Sequence, residues 1–338
     1  MIVVLSRDAY ETTTDEVLDW IETLGGDAVR LNGEDLTGVE PYALSLEDGA
    51  LDAVFHLAGR PVRRRDVRAV WFRRWHSLRH FDTPGVHEPG LLGSVRHHLG
   101  RETRALTDAL YFLFGHARWL TSPAEARPGK LRMLQLAAQA GLPVPATLVT
   151  NRRDQLRAFV ERHGRVITKC ASDVEVFRHA GESWGMYTAE LTLDDVDAAP
   201  EVFFPTLVQE RLEKRWEVRT FWLDGQVHSM AIFSQGDAQT EVDFRRYNVK
   251  RPNRNVPYRL PPEVVEALAR FMELAGLGTG SVDFVRTADG RHVFLEVNPG
   301  GQFGMVSQPC NYFLEKKVAE HLIRGDRPDA DSVEWRDS

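Results

Sequence analysis

The sequence predicts a chain of α/β and α+β architecture: an N-terminal α/β layer, a small mixed segment, then a larger strand-rich segment. Three observations predict it. The first 31 residues pattern as strand, helix, strand. A turn-rich stretch, Pro123–Lys130, interrupts the chain and leads into a second helix. From Val202 onward strand patterns dominate. A length of 338 residues leaves room for two or three domains of roughly 100–200 residues.

Apolar residues make up 43% of the chain and charged residues 27%, an ordinary globular composition that excludes disorder as the main state. No run of about 18 apolar residues occurs, so no membrane span is expected. The start, MIVVLSRDAYETT, has no basic stretch before its short apolar run, so no secretory signal is expected. Two cysteines, Cys170 and Cys310, cannot build a disulfide framework, and a reducing cytoplasm is the expected compartment. The net charge of −7 has the wrong sign for a general polyanion binder, so nucleic acid is not an expected partner.

Residues 1–6 (MIVVLS) read as a buried strand. Thr13 and Glu16 stand at capping-box spacing and predict a helix start. Val17, Trp20, Ile21 and Leu24 then mark one helical face, and Gly25-Gly26 ends it. Asp27–Leu31 completes a βαβ unit. A further strand is predicted at Ala69–Phe72. A helix from Leu131 to Ala140 stops at Gly141, since Pro143 and Pro145 forbid its continuation. Strands follow at Thr147–Thr150, Val166–Lys169, Thr206–Arg211, Glu217–Trp222 and Gln226–Phe233. Pro262–Ala275 is a helix closed by Gly276, with Val265, Leu268, Phe271, Met272 and Ala275 as its apolar stripe. A hairpin spans Ser281–Asn298 and a last helix begins near Asn311. The domain boundaries expected are 1–122, 123–205 and 206–326, with 327–338 as a solvated tail.

The hairpin SVDFVRTADGRHVFLEVNPGG carries the most chemistry. Asp289-Gly290 is a two-residue hairpin signal. Counting back from it sets Asp283 opposite Glu296, with Asn298 on the same face. Like charges directly opposite are destabilising, so something must neutralise them. Hard oxygen donors at this spacing suit Mg²⁺. The alternative is a solvent-facing polar side of a hairpin.

Other candidates stand beside it. Lys130 opens a helix and Lys169 ends an apolar strand; each can reach phosphate as a point charge, or be a surface cation. In LVQERLEKRWEVRTF the chain leaves a strand at Gln209, and the backbone of Glu210–Leu212 can meet an adenine edge. Glu217 and Arg219 share one strand face, where Arg219 could stabilise a transferring phosphoryl group or simply form a cross-strand ion pair. Arg60, Arg63, Arg64, Arg65, Arg68, Arg73, Arg74 and Arg79 cluster around Trp71, Phe72 and Trp75, with only Asp66 opposing them in sequence. They suit an acidic peptide, a phosphate-rich ligand or a nucleic-acid strand, or form a solvated basic face. A second basic run, DFRRYNVKRPNR, holds Arg245 and Arg246. No P-loop, Rossmann fingerprint, G-x-S-x-G or H-E-x-x-H is present.

In this order the pieces resemble the ATP-grasp superfamily: Lys130 ahead of GLPVP, Lys169 at a strand end, QERL, Glu217-x-Arg219, then Asp283, Glu296 and Asn298. The start of the chain, AVWFRRW, WLTSPAEARPGKLRMLQLAAQAGLPVPATLVTN, EVDFRRY and EVNPGGQFGMVSQPCNYFLEKKVAEHLI further resemble the graspetide synthetases, ATP-grasp maturases of ribosomal peptides. The resemblance implies an ATP-grasp fold behind a pre-ATP-grasp α/β domain, with ATP and Mg²⁺ as cofactors. It implies a ribosomal precursor peptide as partner, its Asp or Glu side chain activated as an acyl phosphate for attack by a Ser or Thr hydroxyl or a Lys amine. A homodimer is the family precedent.

By position the resemblance assigns Lys130 and Lys169 to the phosphates, Gln209, Glu210, Arg211 and Leu212 to adenine, and Glu217 to the ribose. Asp283, Glu296 and Asn298 fall to the metal, Arg219 to the transferring phosphoryl group, and Arg245 or Arg246 to the acidic substrate side chain. One departure stands out: the stretch after Lys169, where the family closes a Gly-rich loop, holds only Gly181 and Gly185. Two competing readings are an ATP-grasp ligase adding a free amino acid, and a non-catalytic nucleotide-binding protein recruiting nucleic acid or a partner through Arg60–Arg79.

Overall fold

The computed structural model describes residues 1–7, 11–37, 41–75, 85, 87–126, 128–172, 176–179, 182–185, 188–235 and 252–326. The chain divides into two compact units. The first comprises 1–126, 302–307 and 313–338; the second comprises 127–301 and 308–312.

The first unit begins with β1 (Ile2–Ser6), α1 (Thr12–Thr23) and β2 (Ala28–Asn32), the βαβ unit the sequence predicts. β3 (Tyr42–Glu47), β4 (Ala50–Leu57) and β5 (Arg60–Arg63) form an antiparallel meander. β6 (Ala69–Phe72), α2 (Pro89–Leu113) and β7 (Arg118–Trp119) follow. The main sheet is parallel, in the order β2-β1-β6-β7. Every residue of β1 is buried, as a parallel strand covered on both faces requires. Val3, Leu5, Val70 and Phe72 enter one core with Phe55 of the meander and Leu110 and Leu113 of α2. On the opposite face α1 packs against a C-terminal helix, Leu314–Asp326, which also touches β1 and β6. That contact puts the helix in the first unit, whereas its place in sequence suggested the last domain.

One local expectation is not met. The capping box is absent: α1 starts at Thr12 with Glu11 at its N-cap, and the Glu11 side chain instead accepts from the Thr14 hydroxyl at 3.2 Å. The meander and α2 carry no counterpart in the sequence reading. Asp48-Gly49, both at positive φ, was the signal for the first hairpin. Gly90, Gly93 and Gly100 dilute the helical pattern of α2.

The second unit opens with α3 (Lys130–Gln139), β8 (Thr147–Arg152), α4 (Arg153–His163) and β9 (Val166–Lys169). β10 (Val176–His179) and β11 (Glu182–Gly185) pair as a hairpin, so the stretch after Lys169 is described only in part, with Gly181 outside the described residues. β12 (Ala189–Leu191), α5 (Leu193–Ala198) and β13 (Val202–Glu210) complete a four-stranded sheet ordered β12-β9-β13-β8. β14 (Lys214–Leu223), β15 (Gln226–Phe233), β16 (Arg254–Tyr258), α6 (Pro262–Ala275), β17 (Thr279–Thr287) and β18 (His292–Asn298) build a five-stranded sheet ordered β16-β15-β14-β17-β18.

Period two decides what the five-stranded sheet presents. Val218, Trp222, Val282, Phe284, Phe294 and Val297 face α3 and α6, whose Met133, Ala137, Leu268 and Phe271 close the core. The alternate positions, Glu217, Arg219, Asp283 and Glu296, are thereby set on the other face.

Candidate active site

Asp283 pairs directly with Glu296, and Ser281 with Asn298. The pairing is the one counted from sequence, but it is reached differently. Thr287 N donates to Arg291 O at 3.0 Å, so the loop holds three residues, Ala288 to Gly290, with Gly290 at φ +98°. Near the turn Phe284 pairs with Phe294; between there and Asp283 the register shifts by one residue, at Leu295. The bulge cancels the longer loop. It also leaves Leu295 beside Glu296 on the cleft, where strict alternation would hide it.

The two carboxylates are balanced by cations. Arg219, opposite Asp283 across β14 and β17, donates from Nη1 to Oδ1 at 3.0 Å and to Oδ2 at 2.9 Å. The Nε of Arg219 is buried and has no hydrogen-bond partner among the described residues. Lys130 Nζ lies 3.7 Å from Glu296 Oε2 and donates to the carbonyls of Cys170 at 2.9 Å and Ser172 at 2.8 Å. Glu217 accepts from Lys214 Nζ on one oxygen and from the Ser234 hydroxyl on the other.

Lys214, Glu217, Asp283 and Glu296 border a cleft of about 280 Å³ lined from the four-stranded and the five-stranded sheet of this unit. Ile167, Leu212, Val285 and Leu295 give it apolar walls, and Lys169, Lys214, Glu217, Asp283 and Glu296 give it charge. A cleft with apolar walls that also carries cations and carboxylates suits a nucleotide, its base against the apolar side chains and its phosphates toward the charges.

The segment Gln209–Leu212 lines the same cleft, with a correction to the expected free backbone. Glu210 N donates to Ala146 O at 3.0 Å and Arg211 N to Arg165 O at 2.8 Å, so those amides are already used. Leu212 has no backbone hydrogen bond among the described residues and is the position left to meet a base edge. The Gln209 side chain turns to Thr147 Oγ1 at 2.8 Å, and Glu210 Oε1 accepts from Ala146 N at 3.1 Å; both brace the strand. At the rim Arg165 and Arg211 share Glu190; the Arg165 hydrogen bond, then the Arg211 charge, hold its carboxyl below the ordinary range.

Of the residues singled out in sequence, Lys169, Gln209, Glu210, Arg211, Leu212, Glu217, Asp283 and Glu296 line the cleft. Arg219 and Lys130 reach it through Asp283 and Glu296. Asn298 lies two residues beyond Glu296, outside the lining. Arg245 and Arg246 lie outside the described residues. Lys214 and Leu295 were missed: Lys214 reads as one more charge in EKRWE, and a bulge leaves no mark in period-two patterning.

The arginine cluster is not one patch. Arg60 pairs with Asp27 at 2.6 Å, Arg64 donates to Leu113 O at 3.0 Å, and Arg73 and Arg74 turn to Glu11. Opposing carboxylates distant in sequence disperse it; Arg79 lies outside the described residues.

Asp283, Glu296 and Asn298 offer oxygen donors only, and the paired carboxylates already draw two cationic side chains, so the residues present fit Mg²⁺.

No family model and no curated protein matches the chain. Solved structures do. The RiPP-associated ATP-grasp ligase of Chryseobacterium gregarium, in complex with ADP and a leader and core peptide, is 20% identical at a TM-score of 0.84, over 97% of each chain. The macrocyclase MdnC of Microcystis aeruginosa MRC, bound with precursor peptide MdnA, is 24% identical at 0.81, over 96% of this chain and 99% of that one. The macrocyclase MdnB of the same organism is 26% identical at 0.74, over 95% and 98%. The chain therefore has the ATP-grasp fold.

Proposed function

We propose that this chain is an ATP-dependent, ADP-forming macrocyclase of a ribosomal precursor peptide. It would activate Asp or Glu side chains as acyl phosphates, and a Ser or Thr hydroxyl or a Lys amine of the same peptide would close ω-ester or ω-amide rings. The observation that carries the reading is the row Arg219, Asp283, Glu296 on the cleft face of a sheet whose chain overlays RiPP ligases end to end.

The geometry supports the roles proposed by position. Leu212 presents backbone to the base while Ile167 and Leu295 exclude water around it. Glu217, steadied by Lys214 and Ser234, accepts the ribose hydroxyls. Lys169 and Lys130 hold phosphate oxygens. Asp283, Glu296 and Asn298 would hold Mg²⁺, which when bound offsets phosphate charge that would otherwise repel an incoming carboxylate. Arg219, held beside the cleft by Asp283, stabilises charge on the transferring phosphoryl group.

The test is a mass spectrum of a candidate precursor peptide, encoded beside this gene, after incubation with the protein, ATP and Mg²⁺. Loss of one water per ring, absent without ATP, supports the reading. Gain of a supplied amino acid would favour an intermolecular ligase, and an unchanged peptide that binds without turnover would favour a recruiting role.

A further inference from the structure

The parallel sheet of the first unit has a topological switch point. From β1 the chain crosses through α1 to β2 on one side, and β6 lies on the other. In open α/β sheets ligands bind in the crevice beyond the carboxyl ends of the strands at such a point. Here Ser6 ends β1 and Arg7 follows it, and Arg73 and Arg74 follow β6, with Leu5 level with Phe72.

The ionic residues gathered there are buried or half-buried and mostly cationic. Glu11, 4% exposed, has Arg74 Nη1 at 2.8 Å, Arg7 Nη2 at 3.6 Å and Arg73 Nε at 3.7 Å. Arg73 is 2% exposed and packed on Trp71 and Phe303, with its guanidinium 5.8 and 5.4 Å from their ring centres. Burial pulls Arg73 down to about 10 against the opposing pull of Glu11, and the fields of Arg74 and Arg7 pull the same way as burial. Three guanidinium groups thus surround one carboxylate.

The donors are also under-used. Ser6 is fully buried, and its hydroxyl has no hydrogen-bond partner among the described residues. Arg7 Nε is buried without one as well. α1 starts beside them with no side chain capping its first turn, adding the positive end of a helix dipole. Buried donors with net positive charge call for an anion. Arg7 and Arg74 each keep about a quarter of their side-chain surface exposed, at 25% and 26%, so the group opens outward.

We propose that Ser6, Arg7, Arg73, Arg74 and the N-terminus of α1 form a carboxylate-binding site that takes an acidic side chain of the peptide substrate. The peptide identity rests on the function proposed above; the anion site rests on this geometry. Arg74 and Arg7 make the contact, and Glu11 and Arg73 hold them in place.

The test needs no turnover. A blocked hexapeptide of alternating Thr and Glu, and its Gln-for-Glu counterpart, are titrated calorimetrically into the protein with ADP and Mg²⁺, with inorganic phosphate as a third probe. The Glu peptide should bind the wild type at least about tenfold tighter than the Gln peptide, the scale of one charge-assisted hydrogen bond. In Arg74→Gln the two peptides should bind alike, with ADP affinity unchanged. Arg7→Gln is the second variant if Arg74→Gln does not fold. Equal binding of both peptides to the wild type, or a preference that survives in the folded variants, overturns the site. Phosphate binding that depends on Arg74, with no Glu preference, overturns the carboxylate assignment. A preserved preference in a protein that makes no ADP with any peptide would instead sink the macrocyclase reading and leave the site standing.

Discussion

One nitrogen of Arg219 reaches both carboxylate oxygens of Asp283, at 3.0 and 2.9 Å, across the pairing of β14 with β17. Both residues are largely buried, 7% and 8% exposed, and Asp283 lines the cleft. The pair neutralises the acid that would otherwise face Glu296 directly, and it fixes the guanidinium of Arg219, whose buried Nε has no hydrogen-bond partner among the described residues.

Breaking this pair should cost both stability and catalysis. Arg219→Ala strands a buried carboxylate, a loss of about 3–5 kcal/mol in denaturant unfolding. ADP release should fall at least about 100-fold, the scale of a lost charge-stabilising donor. Arg219→Lys keeps a charge without the planar fork, so it should regain more stability than turnover. Wild-type turnover in Arg219→Ala would remove the residue from phosphoryl transfer.

The metal assignment predicts a different signature. Glu296→Gln and Asp283→Asn should each raise the Mg²⁺ needed for half-maximal ATP turnover at least about tenfold. Metal-free ADP binding should stay near wild type. Equal Mg²⁺ dependence in both variants and the wild type would show that these carboxylates hold no ion.

Glu217 is held between Lys214 and Ser234, which leaves its carboxylate one orientation. Glu217→Ala should make ATP and 2′-deoxy-ATP bind alike, while the wild type prefers ATP. Lys214→Met should weaken ATP by about tenfold, the range of one charged hydrogen bond. A variant that still discriminates the 2′-hydroxyl would move the ribose site elsewhere.

Leu295 lines the cleft only because the strand bulges there. Leu295→Ala should weaken ADP up to about tenfold, as apolar burial of part of a leucine predicts, with little change in melting temperature. Unchanged ADP affinity would mean the base sits away from this wall.

His292 is buried against Tyr258, whose hydroxyl is 2.8 Å from Nε2. Burial, then the charge of Arg286, holds its pKa below the usual 6.5. The folded chain therefore prefers the neutral ring. Its contribution is fully present above the unfolded value near 6.5 and is lost as pH falls through the lower folded value. The urea midpoint should drop between pH 7 and pH 5, and His292→Gln should flatten that slope.

Local patterning carried much of the fold. β6, β9, β15 and α6 fall on the residues the sequence predicts: β6 and β9 are short apolar runs, Gly225 precedes β15, and Pro261-Pro262 and Gly276 bracket α6. The facing of Asp283 and Glu296 was also legible, although two irregularities had to cancel: a loop one residue longer and a bulge at Leu295. Neither leaves a trace in composition.

The sequence alone determined which residue types this chain can bring to a cleft: lysines at a helix start and a strand end, a carboxylate pair on a hairpin, an arginine two residues from a glutamate. Only the tertiary structure decided their partners. Arg219 meets Asp283 from 64 residues away, Lys130 meets the carbonyls of Cys170 and Ser172, and Glu11 gathers Arg7, Arg73 and Arg74 from just beyond the ends of two strands. The reason is physical. Backbone periodicity acts over a few residues and is written in order, whereas charge pairing depends on the register of distant strands and on which groups burial leaves to neutralise one another.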